Sequence, residues 1–95
     1  MSAYRLSPLA ESDLEDIWLY TVERWSVTQA DSYHADIIEA IKKLASGERK
    51  GRRVDVRDGY QKYTVGRHFV FFCLSDIDVD VIRILHQSMD VERHL

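Results

Sequence analysis

The sequence predicts an α+β fold in the order β-α-α-β-β-β, with an N-terminal strand and a helical hairpin packed on a small antiparallel sheet. Three observations carry that reading. Arg67 to Leu74, Arg-His-Phe-Val-Phe-Phe-Cys-Leu, places aromatic and β-branched residues on both alternating sets of positions, as in a central strand covered on both faces. Two helix-periodic segments precede it, each opened by a serine cap. Only Arg24 to Ser26 separates the two, so they fold back as an antiparallel hairpin.

Each element has its own justification. Ala3 to Leu6 alternates Tyr4 and Leu6 against Arg5 and reads as the first strand. Ser7-Pro8 opens the first helix, because serine caps a free amide and proline has none to leave unsatisfied. Glu11, Asp13, Glu15 and Asp16 suit the positive end of its dipole. Ala10, Leu14, Ile17, Trp18, Thr21 and Trp25 make its inner face, and Leu19, Tyr20 and Val22 widen the apolar stripe. Such a helix is more apolar than packing on a sheet requires, which points to contact outside the chain.

Ser26-Val27-Thr28-Gln29 has the form of a capping box and starts the second helix. Ala30, Tyr33, Ile37, Ile41 and Leu44 form its inner face, and Ser46-Gly47 closes it. Residues 48–58 read as a charged connection without sustained period. Tyr60 to Val65 is the next strand, Gly66 the turn, Ser75 to Asp78 with Ile77 between them the following turn, and Val79 to about Leu85 the last strand. Phe69, Phe71 and Cys73 point one way and Val70, Phe72 and Leu74 the other. A helical hairpin covers one face only, so the second is expected to need a partner.

Composition narrows the function. Ninety-five residues, 45% of them hydrophobic, with one proline and four glycines, make one domain over residues 1–95 and argue against disorder. The lone Cys73 excludes an internal disulfide and a cysteine zinc site and reads as a small buried hydrophobe. No apolar run is long enough for a membrane span and no signal peptide opens the chain, so a cytoplasmic protein is expected. The net charge of −3 is unevenly spread: residues 1–45 carry four basic and eight acidic side chains, residues 46–67 seven basic and three acidic. That local cation suits nucleic acid or an acidic protein segment, the alternative being a solvated loop.

The order of elements, with Leu6-Ser7-Pro8-Leu9-Ala10 leading to Asp13-Leu14 and Ile17-Trp18, then Tyr63-Thr64-Val65-Gly66-Arg67-His68, and Ile82-Arg83-Ile84-Leu85-His86 before Met89-Asp90-Val91 and Arg93-His94-Leu95, resembles the RelE/ParE toxin superfamily, and most of all its ParE branch. The resemblance covers essentially the whole chain. It implies the toxin of a type II toxin-antitoxin pair, held in a hetero-oligomer by a ParD-like antitoxin and acting, when free, as an inhibitor of DNA gyrase rather than as an enzyme. Under it the residues expected to meet the antitoxin are Trp18, Leu19 and Val22 with Arg52, Arg53, Arg67 and Phe72. Those expected to carry toxicity are Arg83, His86 and Met89 with the tail.

The alternatives are a non-toxic interaction module and the activity of the RelE branch, ribosome-dependent cleavage of messenger RNA. Cleavage needs cations around the scissile phosphate and a group to move the proton of the attacking hydroxyl. Tyr63, Arg67, His68, Arg83, His86 and His94 are the candidates, of which Arg83 with His86 or His94 would carry the reaction; Arg83, a charge on an otherwise apolar strand, is required to find a carboxylate, a phosphate or solvent. Ser88 stands where ribonuclease relatives tend to carry arginine, and His94 where they tend to carry tyrosine, which weakens that reading. His86, Asp90 and His94 recur every four residues and would share a helix face, but such spacing arises easily by chance, and neither a metal nor any other cofactor is expected. Arg49-Lys50-Gly51-Arg52-Arg53 lacks interleaved aromatics and a following recognition helix, so no specific DNA binding is expected.

Overall fold

A computed structural model describes residues 3–76 and 78–95; the expected turn residue Ile77 lies outside them. The elements are β1 (Ala3–Leu6), α1 (Pro8–Arg24), α2 (Val27–Ser46), β2 (Arg52–Arg53), β3 (Tyr60–Val65), β4 (His68–Leu74), β5 (Asp78–His86) and α3 (Val91–His94). They form a five-stranded sheet in the order β1-β5-β4-β3-β2, with β4 in the middle as its two-sided pattern requires. β2 to β5 pair antiparallel, whereas β1 joins the β5 edge in parallel. A tight turn cannot join parallel neighbours, and between β1 and β5 the chain runs through the helical hairpin and then β2, β3 and β4.

Local signals set the helix limits. The Ala10 amide donates to Ser7 Oγ at 3.0 Å and the Gln29 amide to Ser26 Oγ at 3.0 Å, so both serines cap as expected. Ala10, Leu14, Ile37, Ile41 and Leu44 then pack with Val70, Phe72, Val79, Val81 and Ile84 in the main core. Trp25 departs from the expected inner face. It is the residue at which α1 ends, with φ −132° and ψ −89°, and it stands 73% exposed.

Besides the parallel pairing of β1, three further features were not legible in the sequence. The charged connection contains a strand, because Arg52 and Arg53 pair with Lys62 and Gln61 across two residues only. Gly51 makes this possible: a Cβ there would lie 2.6 Å from Phe72 Cζ and 2.9 Å from the Lys62 carbonyl. β5 is irregular opposite Phe71 and Phe72, which pair with Arg83 and Val81, so Ile82 is the extra residue of a bulge and Val81 and Ile84 share the helix-facing side. The tail contributes the short α3, capped by Asp90 through the Glu92 amide at 3.1 Å.

The second face of the sheet corrects an expectation. Phe71 and Leu85 lie there and are 0% and 1% exposed, so the chain itself seals the middle of that face. Lys62 Nζ sits 4.5 Å from the Phe69 ring centroid, and the C-terminal segment returns to accept a hydrogen bond from Arg83, which shares the face with Phe71. Four of the exposed large hydrophobic residues, Leu19, Tyr20, Trp25 and Val27, lie towards the tip of the hairpin, and Leu9, Val56, Leu74 and Met89 are exposed elsewhere.

Candidate functional site

Beyond the end of β1 the edge of β5 is left open. Its backbone groups have no strand to pair with and must be satisfied otherwise. Ser7 does part of this, its amide donating to the Val81 carbonyl at 2.9 Å and its hydroxyl to the Ile82 carbonyl at 2.6 Å. Asp13, two turns into α1, does the rest: Oδ2 accepts the Ile84 amide at 2.9 Å and Arg83 Nε at 2.8 Å, and Oδ1 accepts Arg83 Nη2 at 2.9 Å. Both side chains are largely buried, 12% exposed for Asp13 and 16% for Arg83. The Asp13 hydrogen bonds hold the guanidinium charged above its usual range against the opposing effect of burial. Nη1 of Arg83 donates to the His94 carbonyl at 3.3 Å, so one side chain ties α1, β5 and the C-terminus together.

At the end of β4 and β5 lies a second polar group. His68 and His86 are register partners, and their rings meet edge to face with centroids 5.2 Å apart. His68 Nδ1 is 2.6 Å from the Tyr33 hydroxyl, which also donates to the Val65 carbonyl at 3.0 Å and accepts the Arg67 amide at 3.2 Å. A neutral His68 protonated on Nδ1 satisfies every one of these groups. Gly66 sits against this hydroxyl at φ 56°, with Tyr33 atoms 2.7 and 2.8 Å from where a Cβ would be, so the turn can close only with glycine. His86 Nδ1 is 2.8 Å from Ser88 Oγ.

Burial, then the neighbouring His86, lowers the His68 pKa to about 4, with distant Asp13 opposing. Because the folded pKa lies below the unfolded value of about 6.5, the unfolded chain binds the proton first and stability falls as pH drops from about 6.5 towards 4. Partial exposure keeps the loss on the order of 1–2 kcal/mol. Urea midpoints at pH 7 and pH 4.5 should therefore diverge more for the wild type than for His68→Gln, and parallel shifts would remove His68 as the cause.

The candidate contact residues fall in separate places. Trp18, Leu19 and Val22 lie on α1, which packs over β5 and β1. Trp18 is half-buried and donates from Nε1 to Asp31 Oδ1 at 2.9 Å, Leu19 is exposed, and Val22 is half-buried. Together Leu6, Leu14 and Trp18 line an open groove of about 460 Å³ rimmed by Glu11, Glu15 and Asp31. Arg52 and Arg53 are exposed on β2 at the opposite edge of the sheet, and Arg67 is exposed in the β3–β4 turn. Phe72 is corrected: at 1% exposure it belongs to the helix-facing core and offers no contact surface.

Residues 4–91 match the family model described as the ParE toxin of the type II toxin-antitoxin system parDE. The chain belongs to the ParE toxin family. Among relatives of this ParE-family chain, Toxin ParE1 of Mycobacterium tuberculosis (strain H37Rv) is 44% identical over 96 residues, covering 99% of this chain and 98% of the relative. Toxin ParE1 of Caulobacter vibrioides is 40% identical over 96 residues, covering 100% and 99%. Toxin ParE of Escherichia coli is 34% identical over 99 residues, covering 100% and 94%. A solved structure described as a chromosomal ParDE system from P. aeruginosa matches with a TM-score of 0.77 at 22% identity over 90% of this chain and 95% of the other, a likeness of fold.

Within this ParE-family fold the residues named for toxicity or catalysis do not assemble into one centre. Arg83 is committed to Asp13, His86 engages Ser88 at the end of β5, Met89 is exposed beyond it, and His94 lends its carbonyl while its side chain faces solvent. Nor do His86, Asp90 and His94 share a helix, since His86 ends a strand and Asp90 caps α3. No group of three or more metal-type ligands occurs among the described residues. Sequence reasoning missed Asp13 as the partner of Arg83 and Tyr33 as the partner of His68. In the sequence Asp13 shows only its fit to the helix dipole, and Tyr33 only its place in the period of the inner face. Among the described residues, no helix is long and apolar enough to cross a membrane.

Proposed function

We propose that this ParE-family toxin acts by protein contact, inhibiting DNA gyrase in the cytoplasm, and that a ParD-like antitoxin neutralises it by covering apolar surface on the hairpin. The observation that supports this most is the exposure of Leu19, Tyr20, Trp25 and Val27 together near the tip of the hairpin, while Arg83 is withdrawn into an ion pair. Large exposed aromatic and aliphatic side chains on a rigid element are the usual anchors of an interface. A guanidinium with its donors engaged on Asp13 and His94 has little left to offer a phosphate.

The test is a pair of assays on the purified chain. Gyrase supercoiling should be inhibited in proportion to toxin, and messages in a translating extract should stay intact. A cognate ParD-like antitoxin should abolish the inhibition, and Trp25→Ser with Leu19→Ser should weaken antitoxin binding by about 2 kcal/mol, some 30-fold. Unchanged supercoiling alongside site-specific message cleavage would replace this reading with the ribonuclease one.

A further inference from the structure

The outer face of α1 carries a row of side chains spaced four apart, Asp16, Tyr20 and Arg24. On a helix such residues stand one above the other, so Tyr20 has an acid a turn below it and a base a turn above, each about 6 Å along the axis. All three are exposed, Tyr20 at 58%, with Leu19 beside it at 49%. The Arg24 guanidinium lies 5.5 Å from the Tyr20 ring centroid, which keeps it on the row. Among the described residues the salt bridges are made by Arg5 and Arg83, so neither Asp16 nor Arg24 enters an ion pair within the chain.

The order acid, aromatic, base is complementary to itself when run in reverse. A two-fold axis through Tyr20 stacks the two tyrosines and sets Asp16 of each copy opposite the partner's Arg24, so one patch makes two ion pairs. Rows four apart are also the ridges by which two helices interlock, crossing at about 50°. Competing registers bring like charges together. Parallel copies place Asp16 on Asp16 and Arg24 on Arg24, and an antiparallel pair centred on Leu19 opposes the exposed Glu15 to the exposed Glu23.

We propose that this face is a site of self-association, at which two copies of the chain pair antiparallel through α1 about Tyr20, with Asp16 and Arg24 crossing between them. A second copy fits better than an unlike partner because the patch already supplies both halves of the charge pattern that it recognises. One helix face is small for a specific interface, which puts dissociation in the micromolar range. The inference does not rest on the proposed function, although any partner seated on Leu19 and Tyr20 would exclude the pair.

Sedimentation velocity of the full chain under reducing conditions tests it. The sedimentation coefficient should rise from monomer towards dimer through micromolar concentrations, and less so in high salt. Asp16→Arg and Arg24→Asp should each weaken pairing tenfold or more, since the two-fold axis makes every substitution count twice. An equimolar mixture of the two variants should pair again, because one then brings two bases to the row and the other two acids. The Asp16→Arg/Arg24→Asp chain should likewise pair with itself. Both positions are exposed, so unchanged urea midpoints are expected and check the fold. In a second measurement, oxidation by copper phenanthroline in a Cys73→Ser background should cross-link Tyr20→Cys to itself. Leu9→Cys, also exposed but about three turns from the axis, should stay unlinked.

A chain that remains monomeric at millimolar concentration overturns the inference. So does a dimer that both charge reversals leave intact, a mixture that pairs no better than its components, or equal cross-linking from Leu9→Cys. None of these outcomes bears on supercoiling, so the toxin reading stands or falls separately.

Discussion

Asp13→Ala is expected to cost about 3–5 kcal/mol of folding stability, because it strands a mostly buried guanidinium and orphans the Ile84 amide in one step. For a domain of this size that is a large share of the total, and each kcal/mol lowers the melting temperature by roughly 4–8 °C. Arg83→Met should cost less, and Arg83→Met combined with Asp13→Ala should recover part of the loss, since the unpaired charge is then gone. Denaturant melts of the three variants measure the cycle. Strict additivity would mean that Asp13 and Arg83 do not act as a pair. Arg83 Nη1 also holds the His94 carbonyl, so hydrogen exchange over residues 91–95 should quicken in both single variants while α2 stays protected.

Phe72→Ala should be of comparable size, about 3–5 kcal/mol, as for a large aromatic removed from a closed core. The ring is 1% exposed, packs with the cluster that includes Ile37, Ile41 and Val70, and supports Gly51 from below. Its loss removes apolar burial and leaves a cavity under the segment that carries Arg49 to Arg53. Leu19→Ala, on the exposed side of α1, should stay within about 0.5 kcal/mol. Urea midpoints of the two separate a core position from a contact position, although both stood in one set on the sequence. A Phe72→Ala chain as stable as Leu19→Ala would contradict the packing described above.

That contrast marks how far the sequence carries. It placed both helix starts, because a cap is written within three residues of the amide it satisfies, as Ser7 with Ala10 and Ser26 with Gln29. It placed β4 in the middle of the sheet, because residues alternating on both faces cannot lie at a solvated edge. It ordered the inner face of α2 correctly from Ala30 to Leu44, because a helical period is a local property of the chain. Family membership was legible for a different reason, the order and spacing of short motifs along nearly the whole chain.

Site residues were less legible, because each depends on a partner far away in sequence. Asp13 meets Arg83 across 70 positions, and Tyr33 meets His68 across 35. Nothing near either residue encodes that meeting. The burial of Phe72 is not legible because, on a two-sided strand, alternation states which residues share a face and not which face is covered by what.

By itself, then, the sequence determined the order of elements, where the helices begin, which strand is central and to which family the chain belongs. Those follow from backbone chemistry and side-chain period acting over a few residues at a time. Only the tertiary structure decided that β1 runs parallel to β5, that Ile82 forms a bulge, that Arg52 and Arg53 make a strand and that Asp13 neutralises Arg83. Such pairings arise when segments distant along the chain compete to satisfy buried donors, acceptors and charges, and that competition is settled in three dimensions.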